Sequence, residues 1–226
     1  MKTGIVMHAA SGLLLASILL VAGCPSDDGE EIDTRLFHIE LLNLTANQPM
    51  SPPVALLDDD DWWRDGEVAS TAMERMAESG DPSELIAGED RAAQADDLLL
   101  PGQRVDLIVE GDENGLRLQV ATMLVNSNDA FSGTSGEDLS SLDPGEQRVL
   151  WLPARDAGTE VNSELAETIP GPAGGGEGFN ATRDDVTGMV TLHPGVVGRE
   201  AGAADSALDA SHRFDNPVLR VTITAL

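Results

Sequence analysis

Short runs of alternating apolar and polar residues, each closed off by Gly, Pro, Asn or Asp, constrain this chain more than any other feature. Residues 36–45 (LFHIELLNLT) place Phe37, Ile39 and Leu41 on one side, the period-two pattern of a half-buried strand. Further strands are predicted at 104–110, 116–124, 148–152, 187–193 and 217–225, with turn-forming clusters between them. One segment reads differently. In residues 69–79 (ASTAMERMAES), Ala72, Met73, Met76 and Ala77 line one helical face, Thr71 and Glu74 have capping-box spacing, and Gly80 is a natural stop. A second helical turn is predicted at 82–87. Strands separated by turns, with helix only near the start, predict an all-β, antiparallel sandwich with short helical insertions. Residues 171–178 and 199–210 read as long surface loops.

The start of the chain has the grammar of an export signal. Met1 and Lys2 precede an apolar run at 12–20, and small residues lead to Cys24. Leu20-Val21-Ala22-Gly23-Cys24 resembles the bacterial lipobox, which implies that Cys24 is lipidated and becomes the first residue of the exported protein. The alternative is an ordinary secretory signal with an incidental cysteine. Cys24 is the only cysteine, so no intrachain disulfide can form and the domain must be held by its core. The expected organisation is a signal peptide at 1–23, the lipidated cysteine and an acidic tether at 24–35, and the sandwich at 36–226. The expected location is the cell envelope, on the periplasmic face of the outer membrane or the cell surface, with the membrane as a partner through Cys24.

Forty Asp and Glu residues against thirteen Lys and Arg give a formal charge of −27, which argues against nucleic acid as a partner and draws cations to the surface. No Gly-x-Ser-x-Gly elbow, His-Glu-x-x-His helix or phosphate-cradling glycine loop is present, and the expectation is a protein that is not an enzyme. His38, His193 and His212 lack ligand spacing, and His193 in its His-Pro-Gly turn reads as a structural hydrogen-bonding residue. The acidic run Asp58 to Asp61 is a second cation candidate, although successive acids more often form a solvated loop. Of the adjacent Trp62 and Trp63, one is expected in the core and the other at the surface.

Several separated segments together resemble the spondin N-terminal domain family. They are Asn43-Leu44-Thr45 with Gln48-Pro49 and Ser51-Pro52-Pro53, residues 66–70 and 77–81, 123–131 (MLVNSNDAF), 152–160 (LPARDAGTE), His193-Pro194-Gly195, and 216–224. The resemblance implies a sandwich of about eight strands, in line with the strand pattern above. It also implies a bound calcium ion (Ca2+) held by Asp129, Asp156 and Glu160. Calcium takes roughly six to eight oxygens, so carbonyls or water would complete such a shell. The resulting expectation is a calcium-binding, lipid-anchored binding or adhesion module with an unidentified envelope or extracellular ligand. An extracytoplasmic hydrolase using acidic residues and a purely structural envelope protein are the alternatives.

Overall fold

The opening alternation becomes strand β1, Thr34–Asn43, in which Phe37, Ile39 and Leu41 are fully buried while His38, Glu40 and Leu42 remain half exposed. The computed structural model describes residues 34–112, 115–181 and 186–226. The expected leader and Cys24 lie outside the described residues. Strand β1 takes in Thr34 and Arg35 from the expected tether, because Arg35 pairs opposite Gly111, donates to the carbonyls of Ser140 and Leu142, and stacks over Phe37.

The remaining strands are β2 (Val54–Leu57), β3 (Ala93–Gln94), β4 (Arg104–Asp112), β5 (Arg117–Met123), β6 (Ala130–Asp138), β7 (Gln147–Leu152), β8 (Arg155–Asp156), β9 (Thr191–Leu192) and β10 (Leu219–Ala225). They form an antiparallel sandwich. One sheet has the order β4-β1-β10-β7 and the other β3-β2-β5-β6-β8-β9, with every strand pair antiparallel. Three of the ten strands have only two residues, leaving seven of four residues or more, in line with the expected sandwich of about eight.

Phe37, Ile39, Leu41, Val109, Leu118, Val120, Val221 and Ile223 belong to one buried core cluster shared by the two sheets. Each such side chain contributes about 1.5–3 kcal/mol by leaving water. A second cluster joins the six-stranded sheet to helix α1, Thr71–Ser79, and contains Val54, Leu56, Met73, Met76, Ala77, Ala121 and Phe131. Strand β2 is therefore buried on both faces, with Ala55 and Leu57 in the first cluster and Val54 and Leu56 in the second. Both Trp62 and Trp63 belong to this second cluster, contrary to the expected division between core and surface. Trp63 meets Phe131 edge to face, with ring centroids 5.0 Å apart.

Helix α1 ends at Gly80 as expected, with φ +67° and its N–H donated to the Met76 carbonyl. Its start is one residue earlier than the capping-box spacing implies. The Ser70 hydroxyl accepts the Met73 N–H at 3.2 Å, and Thr71 is already helical. Ser70→Ala should therefore cost about 1 kcal/mol. Thr71→Ala should change stability by less than about 0.5 kcal/mol. Urea unfolding of the two variants distinguishes the caps, and a larger loss for Thr71→Ala would contradict this assignment.

The sheet crossing that positions the candidate site lies between β7 and β8. The chain leaves the four-stranded sheet at Leu152, passes through Pro153 and joins the six-stranded sheet at Arg155. This brings Asp156 opposite Ala130, the residue after Asp129. The strand expected at 187–193 contracts to Thr191–Leu192, since Gly188 donates to the Gly158 carbonyl and Val190 exchanges backbone hydrogen bonds with Gly66 and Glu67.

Candidate metal centre

The turn between β5 and β6 is organised by Ser127. Its hydroxyl donates to the Leu124 carbonyl at 2.6 Å and accepts the Ala130 N–H at 3.0 Å. The turn sets Asn128 and Asp129 side by side, both buried. Asn128 ties down the following loop, donating to Thr168 Oγ1 at 2.8 Å and accepting the Glu164 N–H at 3.2 Å.

Asp156 begins the facing turn. Its Oδ1 accepts the Gly158 N–H at 2.8 Å, and Gly158 takes φ +72°, where a Cβ would also stand 2.7 Å from the Met189 nitrogen. The turn aims successive amides at Asp129. Thr159 and Glu160 donate their backbone N–H groups to Asp129 Oδ2 at 2.8 and 3.1 Å. Among the described residues Asp129 Oδ1 is buried with no hydrogen-bond partner.

Burial, and after it the adjacent Asp156 charge, push the Asp129 carboxyl up to about 6, against the two backbone amides that favour its ionised form. The structure therefore brings together two of the three acids implied by the family resemblance. Glu160 reaches Asp129 with its backbone N–H, and Glu160 is itself buried. Among the described residues, no three His, Cys, Asp or Glu side chains converge as a ready-made metal cluster. The donor chemistry nonetheless fits a hard cation. An unsatisfied carboxylate oxygen lies beside a second carboxylate, and a cation would both occupy the oxygen and offset the repulsion.

Several supporting residues carry no sign of their role in the sequence pattern. Asn162 donates through Nδ2 to Asp156 Oδ2, and its Oδ1 faces His193 Nε2 at 3.1 Å. Burial holds the His193 imidazole below its usual range. His193 has the structural role expected of it, accepting the Gly195 N–H at Nδ1, 2.9 Å away. Glu164 has φ +56°, and its buried carboxylate accepts from the Val197 and Gly198 amides and the Ser206 hydroxyl at 2.6, 2.8 and 2.6 Å. Residues 199–210, expected to be a long surface loop, are thus held at Ser206 by this buried carboxylate. Only His193 carried a local sequence signal, its His-Pro-Gly turn.

The second cation candidate is arranged differently. Asp61 pairs with Arg117 at 2.6 Å and Arg64 at 2.8 Å, and Asp58 accepts the Asp59 N–H. Asp61 and Asp65 also line an open cleft of about 250 Å³ with Trp63, Arg64, Thr134 and Arg155. Asp65 is bridged to Arg155 by two hydrogen bonds, so both cleft carboxylates have guanidinium partners. Compared with known proteins, the chain matches no family model and no curated protein.

Proposed function

We propose that this protein is a non-enzymatic, lipid-anchored module of the cell envelope or cell surface, whose spondin-like sandwich binds one calcium ion. Support for the metal comes chiefly from the buried Asp129 and Asp156 pair with its unpartnered Oδ1. The segments 123–131 and 152–160, which carry the family resemblance, also lie next to one another through the Ala130 and Asp156 pairing. Calcium, when bound, supplies the positive charge that these carboxylates otherwise lack. The chain holds Asp129 through the Thr159 and Glu160 amides and Asp156 through Gly158 and Asn162. Fixing these turns gives one end of the sandwich a defined surface for adhesion or ligand binding. Membrane attachment rests on Cys24 and the lipobox-like residues before it.

The cleft beside Trp63 does not favour the hydrolase alternative, because its two carboxylates are engaged by Arg64, Arg117 and Arg155. The decisive measurement is calorimetric titration of calcium into the chelator-treated full chain in detergent. The wild type is expected to bind one ion with a dissociation constant of about 10⁻⁴ to 10⁻³ M. Asp156→Ala and Glu160→Ala are expected to lose that heat. A wild type that takes up no calcium, with the fold intact by circular dichroism, would remove the metal from this reading.

A further inference from the structure

The carboxylate of Asp156 does not set its own orientation. A chain of hydrogen bonds leads from it to a backbone amide whose polarity is fixed. The Gly195 N–H can only donate, and it points at His193 Nδ1 from 2.9 Å. That ring nitrogen must therefore accept, which leaves the proton of the neutral imidazole on Nε2. His193 Nε2 stands 3.1 Å from Asn162 Oδ1, so it donates there and fixes which way the amide faces. The amide then has one remaining polarity to offer, and Nδ2 donates to Asp156 Oδ2. The far end is rigid as well. His193 is buried against Phe214, with ring centroids 5.5 Å apart, and its backbone N–H donates to the Ala154 carbonyl.

We infer that Asn162 is a positioning residue for the calcium site, orienting the Asp156 carboxylate under the direction of His193. The inference rests on the proposed calcium reading and names residues outside the three implied ligands. Asn162 is itself at the surface, so its side chain adds little to the core and its removal leaves the fold intact. What its removal changes is the freedom of a ligand. Without the Nδ2 donor, Asp156 Oδ2 is released while Oδ1 keeps its Gly158 contact, and the carboxylate can rotate about that remaining bond. A binding site whose donor must be ordered at the moment of binding loses affinity, and removing such an outer-shell partner typically weakens metal binding about 10- to 100-fold.

The test uses the full chain in detergent, titrated with calcium chloride by calorimetry, with parallel melts in chelator. Asn162→Ala is expected to keep a stoichiometry of one ion but to bind it about 10-fold more weakly. Its melting temperature in chelator should fall by only about 2–4 °C, the effect of lost hydrogen bonds rather than of a lost fold. Asn162→Gln, which retains an amide donor on a longer arm, should recover part of the affinity. Equal affinity in wild type and Asn162→Ala would overturn the positioning role while leaving the calcium reading in place. A matched drop in melting temperature with and without calcium, at unchanged affinity, would make Asn162 merely structural and overturn it too. A wild type that binds no calcium sinks both.

Discussion

In calcium-free buffer at pH 7, Asp129→Asn is expected to melt at a higher temperature than the wild type, although the substitution removes a proposed calcium ligand. The carboxylate is fully buried, and its pKa is raised from 3.8 to about 6 by burial and by Asp156. Between about pH 4 and 6 the folded protein therefore holds a proton that the unfolded chain releases, and the contribution of Asp129 to stability is fully present below about pH 4. It is lost as pH rises through about 6, by roughly 3 kcal/mol at about 1.4 kcal/mol per pKa unit. The amide that replaces the carboxylate removes this charge, while its oxygen can still accept the Thr159 and Glu160 N–H groups. Burying its NH2 offsets part of the gain, leaving a net stabilisation of about 1–2 kcal/mol.

Calcium should invert the order. An ion bound only by the native wild type adds about 2.7 kcal/mol when present at 100 times its dissociation constant. The variant should gain nothing. Urea unfolding at pH 4 to 7, in chelator and in calcium, reads both effects. A stability difference between wild type and variant in chelator that does not change across that range, or a variant less stable than wild type in chelator at pH 7, would refute the account of Asp129.

Gly133→Ala is expected to be the most damaging small substitution in the sandwich. A Cβ at Gly133 would lie 1.8 Å from the Val120 carbonyl oxygen and 3.1 Å from the Ala121 Cα. Both obstacles are backbone of the neighbouring strand, so no rotamer change relieves them. The register places Gly133 directly opposite Ala121, and relief means separating β5 from β6. The cost is about 3–5 kcal/mol. That is a large share of the roughly 5–15 kcal/mol that stabilises a whole domain. Gly145 supplies the control, with φ +86° but nothing within 4 Å of where a Cβ would stand. Alanine there should cost only about 1–2 kcal/mol from the left-handed backbone. Similar losses at the two sites would mean that β5 yields easily, contrary to its fully buried setting.

The sandwich was legible wherever one face of a strand meets water. Strands β1, β4 and β10 alternate in burial along their length and their sequences largely alternate with them, whereas β7 alternates in burial although Val149 and Trp151 on its exposed side are apolar. The period fails where both faces are covered. Strand β2 reads Val-Ala-Leu-Leu because α1 lies on one side and the opposite sheet on the other. Strand β6 was hidden for another reason, since Gly133 is needed there for close approach to Val120 and the buried Ser132 donates its hydroxyl to the Pro153 carbonyl. At the site, Asp129 and Asp156 were marked by the family resemblance, whereas Asn162 and Glu164 were not. Their roles depend on hydrogen bonds to Asp156 and to residues 197–206, which no local spacing encodes.

Strand β1 gives the proposed tethered protein a particular response to pulling. The described chain enters the sandwich at Thr34, and Asn43 at the other end of β1 connects through Gln48 to Asn126 beside the turns of the candidate metal centre. Force transmitted from a membrane anchor to a ligand held at those turns therefore runs along the ten-residue strand. Its ladder bonds to β4 and β10 lie across that direction and must slide together, as in a lap joint under shear. Force applied instead between Thr34 and the end of β10 would open the ladder from the Phe37 and Ala225 pair, one bond after another. If the proposed anchoring and ligand binding hold, the domain is attached by its first strand, grips at the far end and is loaded in its tougher direction.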